Sequence, residues 1–219
     1  MKKILRFLLG LLAIPIAAVA SRSLYGQLAL VSDLGQDQLY FLGGVGGYLI
    51  IHSLFYKPSY FYVVGHELTH VIFTWFCGGK VRSFRAMPEG GEVTTTKSNF
   101  FIVLGPYFFP FYTVLVCCVY LGAFLFFGAY EYVSQFIFLV GFSWAFHVVF
   151  TAHFIKMKQP DILRFGTLFS ISVIYIINLA ILVFILSLLF AEVSFLEFVK
   201  DSSRQTLNFY QYLVTGLLL

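Results

Sequence analysis

The sequence predicts an all-α polytopic membrane protein with about six transmembrane helices, a short β-hairpin and a C-terminal helix at the membrane interface. Of the 219 residues, 60% are apolar and only 11% are charged. The mean hydropathy of +0.89 is well above what a soluble domain of this length needs. The polar segments are short, and no linker, charge block or internal repeat divides the chain. We therefore expect a single domain over residues 1–219.

Six apolar runs are candidate membrane spans, because a helix needs about 20 mainly apolar residues to cross the hydrocarbon core. They are residues 4–20, 39–55, 59–77, 100–127, 134–155 and 164–190. The first run also fits a signal peptide, although we favour a retained helix. Gly105-Pro106 and Pro110 predict a kink in the fourth span. Residues 191–219 are predicted to form an amphipathic helix lying at the interface.

The longest polar segment, residues 78–99, follows the third span. It has β-prone runs on either side of Pro88-Glu89-Gly90-Gly91, which predicts a short β-hairpin. The net charge of +4 is spread over the gaps between apolar runs, a pattern typical of loops against lipid head groups. We expect a lipid bilayer and no nucleic acid as partner. The basic residues near the hairpin and those at the N-terminus favour opposite orientations, so the orientation stays open.

The third span contains HELTH, in which His66 and His70 are four positions apart. On a helix this spacing puts both imidazoles on one face, about 6 Å apart, where they can reach one tetrahedral metal ion. Glu67 projects about 100° around the helix from His66. Its carboxylate can take a proton from a water that the metal activates, without being a ligand itself. The pattern indicates a hydrolytic metal site.

A catalytic zinc ion usually takes three protein ligands, so a third ligand must come from another segment. Asp161 is favoured, because a carboxylate at the start of an otherwise apolar run is costly without a partner. Alternatively, Asp161 caps the sixth helix or pairs with Lys158 or Arg164. His147 is the reserve ligand, or a hydrogen-bonding partner of a ligand. The remaining candidates are Asp33, Asp37, His52, Cys117, Cys118 and His153.

The chain resembles the site-2 protease family of intramembrane zinc metalloproteases over residues 59–190. The resemblance rests on HELTH in a spanning helix, on Gly78-Gly79-Lys80-Val81 and the Thr-rich hairpin after it, and on a later aspartate near another span. It implies a three-helix core around zinc, with His66, His70 and Asp161 as ligands and Glu67 as general base. Ile162, and not the family's usual Gly, follows the aspartate, which indicates a divergent member.

The predicted function is hydrolysis of peptide bonds in membrane-embedded protein substrates, with Zn²⁺ as cofactor, in a multi-pass protein of the bacterial cell membrane. The alternative is a non-proteolytic membrane scaffold or pseudoprotease that uses the metal structurally. Glu92, Val93, Thr94 and Thr95 are the candidate substrate-binding residues. They could pair as an edge strand with an unwound substrate, because a helix hides its peptide carbonyls in internal hydrogen bonds. Alternatively, the hairpin only caps the helix bundle.

Overall fold

The computed structural model describes residues 2–55, 57–157 and 159–218. These residues are mostly helical, and a single two-stranded antiparallel sheet is described among them. The helices are α1 (Lys2–Leu28), α2 (Gln36–Leu54), α3 (Ser59–Phe76), α4 (Phe100–Phe108), α5 (Phe111–Phe127), α6 (Val133–Lys156), α7 (Pro160–Phe165), α8 (Thr167–Leu189) and α9 (Phe195–Leu218). A 3-10 turn, Tyr130–Tyr132, precedes α6.

The strands are β1 (Val81–Met87) and β2 (Gly90–Thr95), and they lie between α3 and α4. Met87 pairs with Gly90 across a two-residue turn, and a register irregularity lies between Val81 and Ser83. Gly90 has a φ of +151°, which favours glycine because it has no side chain to clash with the backbone. The predicted hairpin is therefore confirmed.

Three helical segments of the described chain are long and apolar enough to cross a membrane: Lys3–Leu28, Tyr130–Lys156 and Thr167–Leu189. The pair α4 and α5 adds a fourth if it is counted as one bent span. About six spans, as predicted, are therefore not supported. The shortfall lies in α2 and α3, because the polar start Gln36-Asp37-Gln38 and the HELTH segment reduce the apolar length of these helices.

The bend between α4 and α5 measures 75° and lies at Phe109-Pro110. Proline has no backbone N–H and keeps the preceding residue out of the helical region, and Phe109 is accordingly extended, with φ −91° and ψ 109°. Pro106, by contrast, lies inside α4. The predicted kink thus comes from Pro110 alone and is a break between two helices.

The chain forms two compact units, Gly35–Asp161 and a second made of Met1–Leu34 with Ile162–Leu219. In the second unit, α9 runs antiparallel along α1. Ser23 Oγ donates to Asp201 Oδ2 at 2.7 Å, and the Tyr210 hydroxyl donates to the carbonyl of Leu12. The placement of α9 at a membrane interface stays a prediction, as does a single functional domain.

In the unit Gly35–Asp161, α2 packs closely against α6. A Cβ added to Gly44 would lie 2.8 Å from the backbone nitrogen of Phe142, and one added to Gly141 would overlap the carbonyl of Phe41. The two helix backbones thus approach each other at two glycines, because small residues let helices pack closely. The helix with the HELTH segment, α3, packs against α4 and the hairpin in the same unit.

Candidate metal centre

Helix α3 positions the two histidines of the HELTH segment as their spacing predicts. The imidazole rings of His66 and His70 lie 4.9 Å apart, centroid to centroid, and meet edge to face. Both side chains are about nine-tenths buried. Glu67 lies on the same helix and is only 5% exposed. Buried imidazoles and a buried carboxylate are costly unless they share partners, so the cluster needs a specific explanation.

Asp161, at the start of α7, reaches both histidines. Its Oδ2 atom lies 3.6 Å from Nε2 of His66 and 3.4 Å from Nε2 of His70. Burial alone would raise the pKa of Asp161, but hydrogen bonds and charge interactions with the two imidazoles outweigh it and lower the pKa overall. The three side chains form a group that could hold a metal ion, with all ligand atoms within 4.8 Å of one another.

The spacing of this group fits zinc. Ligand atoms at about 2.0–2.1 Å from a tetrahedral zinc ion are about 3.3–3.4 Å apart, close to the two measured separations. Two imidazole nitrogens and one carboxylate oxygen are a donor set that zinc takes in hydrolytic sites, where the fourth position stays open. Within the described residues, no other group of three His, Cys, Asp or Glu side chains has metal-binding spacing.

A backbone carbonyl fixes the tautomer of His70. Its Nδ1 atom lies 2.6 Å from the carbonyl oxygen of Ile102. A carbonyl can only accept, so Nδ1 carries a proton. In the neutral imidazole, the form that binds a metal, the lone pair is then at Nε2, the atom that faces Asp161. Such a contact orients a metal-binding histidine and makes it a better donor to the metal.

The sequence of α4 explains why that carbonyl is free. In a regular helix, the N–H of residue 106 would donate to the carbonyl of Ile102, but Pro106 has no N–H. The freed carbonyl accepts from His70 instead. Asn99 caps the same turn, because its side chain accepts from the backbone N–H of Ile102 at 2.9 Å. The Gly-Pro pair thus serves the site and not the predicted kink.

The hairpin covers Glu67. A Cβ added to Gly91 would lie 2.7 Å from Oε1 of Glu67, closer than real Cβ contacts come. Any side chain at this position would require the Glu67 carboxylate or β2 to shift. The arrangement brings the start of β2 directly over the predicted general base.

Tyr107 of α4 also contacts the cluster, although it is not among the site residues predicted from the sequence. Its ring meets the ring of His66 edge to face at 4.9 Å, and its hydroxyl donates to Oδ2 of Asp161 at 3.4 Å. The side chain is fully buried, with 0% exposure. One signal in the sequence could have indicated it: Tyr107 is the one residue of the run Phe100–Phe108 with a hydrogen-bonding side chain, and a buried tyrosine hydroxyl usually has a partner.

The other predicted residues lie as follows. His147 is buried on α6 outside the group of three, and it lines a cavity of about 10 Å³ together with His66 and Thr69. Such a cavity has about the size of one water molecule. The hairpin residues of β2, Glu92 and Val93 with Thr94 and Thr95, are exposed or half-buried. Lys158, an alternative partner of Asp161, lies outside the described residues.

Comparisons of the chain with protein-family models, with curated proteins and with solved structures find no match.

Proposed function

We propose that the protein is an intramembrane zinc metalloprotease that hydrolyses peptide bonds of membrane-embedded protein substrates. The observation that carries the proposal is the approach of Asp161 to within 3.4–3.6 Å of both HELTH histidines. Residues distant in sequence thus meet at the spacing of a zinc ligand set, and Glu67 lies between the two histidines on α3. The apolar helices long enough to span a membrane support the location.

His66, His70 and Asp161 would hold the metal. A zinc ion at this position would act as a Lewis acid that makes water nucleophilic near neutral pH and polarises the carbonyl it attacks. Glu67 accepts the proton that the attacking water loses as its oxygen bonds to the peptide carbon. The C–N bond then breaks, and Glu67 returns that proton to the leaving amine. The burial of Glu67 keeps this proton from exchanging freely with bulk water.

The hairpin would hold the substrate next to this carboxylate. The sheet has two strands, so β2 has one edge without a strand partner among the described residues. An extended peptide can add to such an edge through main-chain hydrogen bonds. Gly91 lies against Glu67 at the beginning of the strand, so a peptide paired with Glu92–Thr95 would pass close to the general base.

The test is zinc content and proteolysis of Glu67→Gln in purified, membrane-reconstituted protein. We expect the variant to keep zinc, because Glu67 is not in the group of three, and to lose at least about 100-fold in cleavage, because the proton acceptor is gone. A panel of single-span peptides with helix-weakening residues near mid-membrane would serve as substrates. Glu89→Gln, in the exposed hairpin turn, is the matched control. Equal cleavage by Glu67→Gln and wild type would contradict the mechanism.

A wild-type protein that holds zinc and cleaves no member of the panel would favour the other function, a metal-stabilised scaffold. The two functions then differ in the effect of metal removal. Chelation stops cleavage by a protease, whereas in a scaffold it lowers only the thermal stability of the folded protein.

A further inference from the structure

We infer that Tyr107 is a positioning residue that holds Asp161 in place for metal binding. The inference deepens the proposed function and rests on its metal site. It starts from one contact: the hydroxyl of Tyr107 donates to Oδ2 of Asp161 at 3.4 Å. That same oxygen is the one that faces Nε2 of both His66 and His70.

The role of Tyr107 follows from the fact that its hydroxyl and the two histidines face the same carboxylate oxygen, Oδ2 of Asp161. A carboxylate oxygen has two lone pairs, so Oδ2 can accept from the hydroxyl and still face the histidines with the other. Rotation of the carboxylate would break the hydrogen bond and turn Oδ2 away from both imidazoles. At 3.4 Å the contact is longer than the roughly 2.5–3.0 Å of a typical O–H···O hydrogen bond, so it adds little binding energy of its own and acts through orientation.

Burial makes this orientation persistent. Tyr107 is 0% exposed, and a buried hydroxyl that loses a hydrogen bond costs free energy because water cannot replace that bond. The ring also packs edge to face with the ring of His66, with 4.9 Å between centroids, and this contact restricts its movement. One side chain therefore touches two of the three candidate ligands.

The packing of α4 against α3 holds Tyr107 at this position. A Cβ added to Gly105 would lie 2.7 Å from Cδ2 of Phe73, so the glycine allows the two helices to approach closely. The same helix presents the carbonyl of Ile102 to His70 at 2.6 Å. Helix α4 thus orients a second ligand through its backbone and Asp161 through the Tyr107 side chain. Surrounding groups of this kind commonly change metal affinity 10–100-fold when they are removed.

Tyr62 provides a natural control. It is also a buried tyrosine, 4% exposed, and its ring lies 5.8 Å from that of His66, centroid to centroid. The hydrogen-bonding partner of its hydroxyl, however, is Oγ1 of Thr151 at 3.4 Å, and Thr151 is not a candidate ligand. Replacement by phenylalanine removes one buried hydroxyl in either case, and only Tyr107→Phe removes a contact to the metal site.

The test is a zinc competition titration of wild type, Tyr107→Phe and Tyr62→Phe in detergent, with circular dichroism to confirm equal helix content. We expect Tyr107→Phe to weaken zinc binding about 10–100-fold and Tyr62→Phe to bind like wild type. The visible spectrum of cobalt-loaded protein should change with Tyr107→Phe and not with Tyr62→Phe, since it reports ligand geometry.

Three outcomes of these measurements would contradict the inference. Equal zinc affinity of Tyr107→Phe and wild type overturns the inference and leaves the proposed function standing. An equal loss of zinc affinity in both tyrosine variants shows a packing effect and also overturns the inference. A wild-type protein without zinc affinity overturns the metal site itself, and the inference with it.

Discussion

Pro106 and His70 are linked through one carbonyl group: the proline leaves the Ile102 oxygen without a helical donor, and Nδ1 of His70 lies 2.6 Å from that oxygen. Pro106→Ala would introduce an N–H that competes for the carbonyl. We expect the free energy of unfolding to stay equal or rise, because alanine is a better helix former, while zinc affinity falls up to about tenfold. Denaturant titration and zinc titration measure the two quantities.

The control for Pro106→Ala is Pro15→Ala, which also replaces a proline inside a helix but lies in α1, in the other compact unit. It should change stability without any change in zinc affinity. Unaltered zinc affinity in Pro106→Ala would show that the tautomer of His70 does not depend on the freed carbonyl.

The third ligand is tested by metal content. We expect Asp161→Ala to lose zinc as completely as His66→Ala or His70→Ala, because the three side chains together form the group that could hold a metal ion. His147→Gln should retain zinc, since His147 lies outside that group. Inductively coupled plasma mass spectrometry on the purified variants gives the zinc-to-protein ratio. Zinc retained by Asp161→Ala and lost from His147→Gln would reverse the assignment.

Because Gly91 contacts Glu67, a substitution of Gly91 should reduce cleavage without reducing zinc binding. The added Cβ of Gly91→Ala would lie 2.7 Å from Oε1, so either the carboxylate or β2 must move. We expect at least about a tenfold loss in cleavage rate, because misplacement by 1 Å can cost up to about 100-fold, with zinc content unchanged. Glu89→Ala in the hairpin turn is the comparison, and a fully active Gly91→Ala would argue against Glu67 as the base.

The proposed substrate strand is tested by cross-linking. With Cys77, Cys117 and Cys118 replaced, a cysteine at Thr94 should form a disulfide with a cysteine placed near the scissile bond of a peptide substrate, because paired strands bring Cβ atoms within about 4.5–5.5 Å. The same cysteine at Ser203, on α9 in the other compact unit, is the control. Cross-linking that is equal at both positions would show random encounter and not strand pairing.

Acid should loosen α9 from α1. Hydrogen bonds from Gln205 and Ser23 to Asp201 lower the pKa of this carboxyl below its ordinary value of 3.8. Its contribution to stability is therefore complete above about pH 4 and is lost as the pH falls through the lower, folded-state pKa. Hydrogen exchange of α9 as a function of pH measures this. Asp201→Asn should remove the acid-dependent part, and an unchanged profile would exclude this carboxyl as the cause.

The sequence predicted the hairpin and the local geometry of the HELTH segment because both depend on short-range rules. Turn residues between β-prone runs specify a hairpin, and an i, i+4 spacing puts His66 and His70 on one helix face. Asp161 was singled out by its cost at the edge of an apolar run, and the structure brings it to both histidines.

The contributions of α4 could not be predicted in the same way. Tyr107 meets Asp161 across a long stretch of chain, and such a contact depends on how helices pack. Pro106 was interpreted as a kink, because its missing N–H says nothing about which donor takes the free carbonyl. The predicted number of spans was too high because α2 and α3 were counted as spans from their apolar residues. The polar residues within or beside those apolar runs make both helices too short or too polar to count.

All residues assigned to the chemistry fall within the unit Gly35–Asp161, and Asp161 is its last residue. Natural selection for this activity would therefore act on a few features in a fixed order along the chain. They are a HELTH-type helix, a glycine in the following hairpin, a Gly-Pro-Tyr segment and a distant aspartate. Apart from the glycines at which α2 and α6 approach each other, the apolar helices need mainly to keep their hydrophobicity. Relatives of this protein would then be recognisable by that spaced set even where overall sequence similarity has been lost.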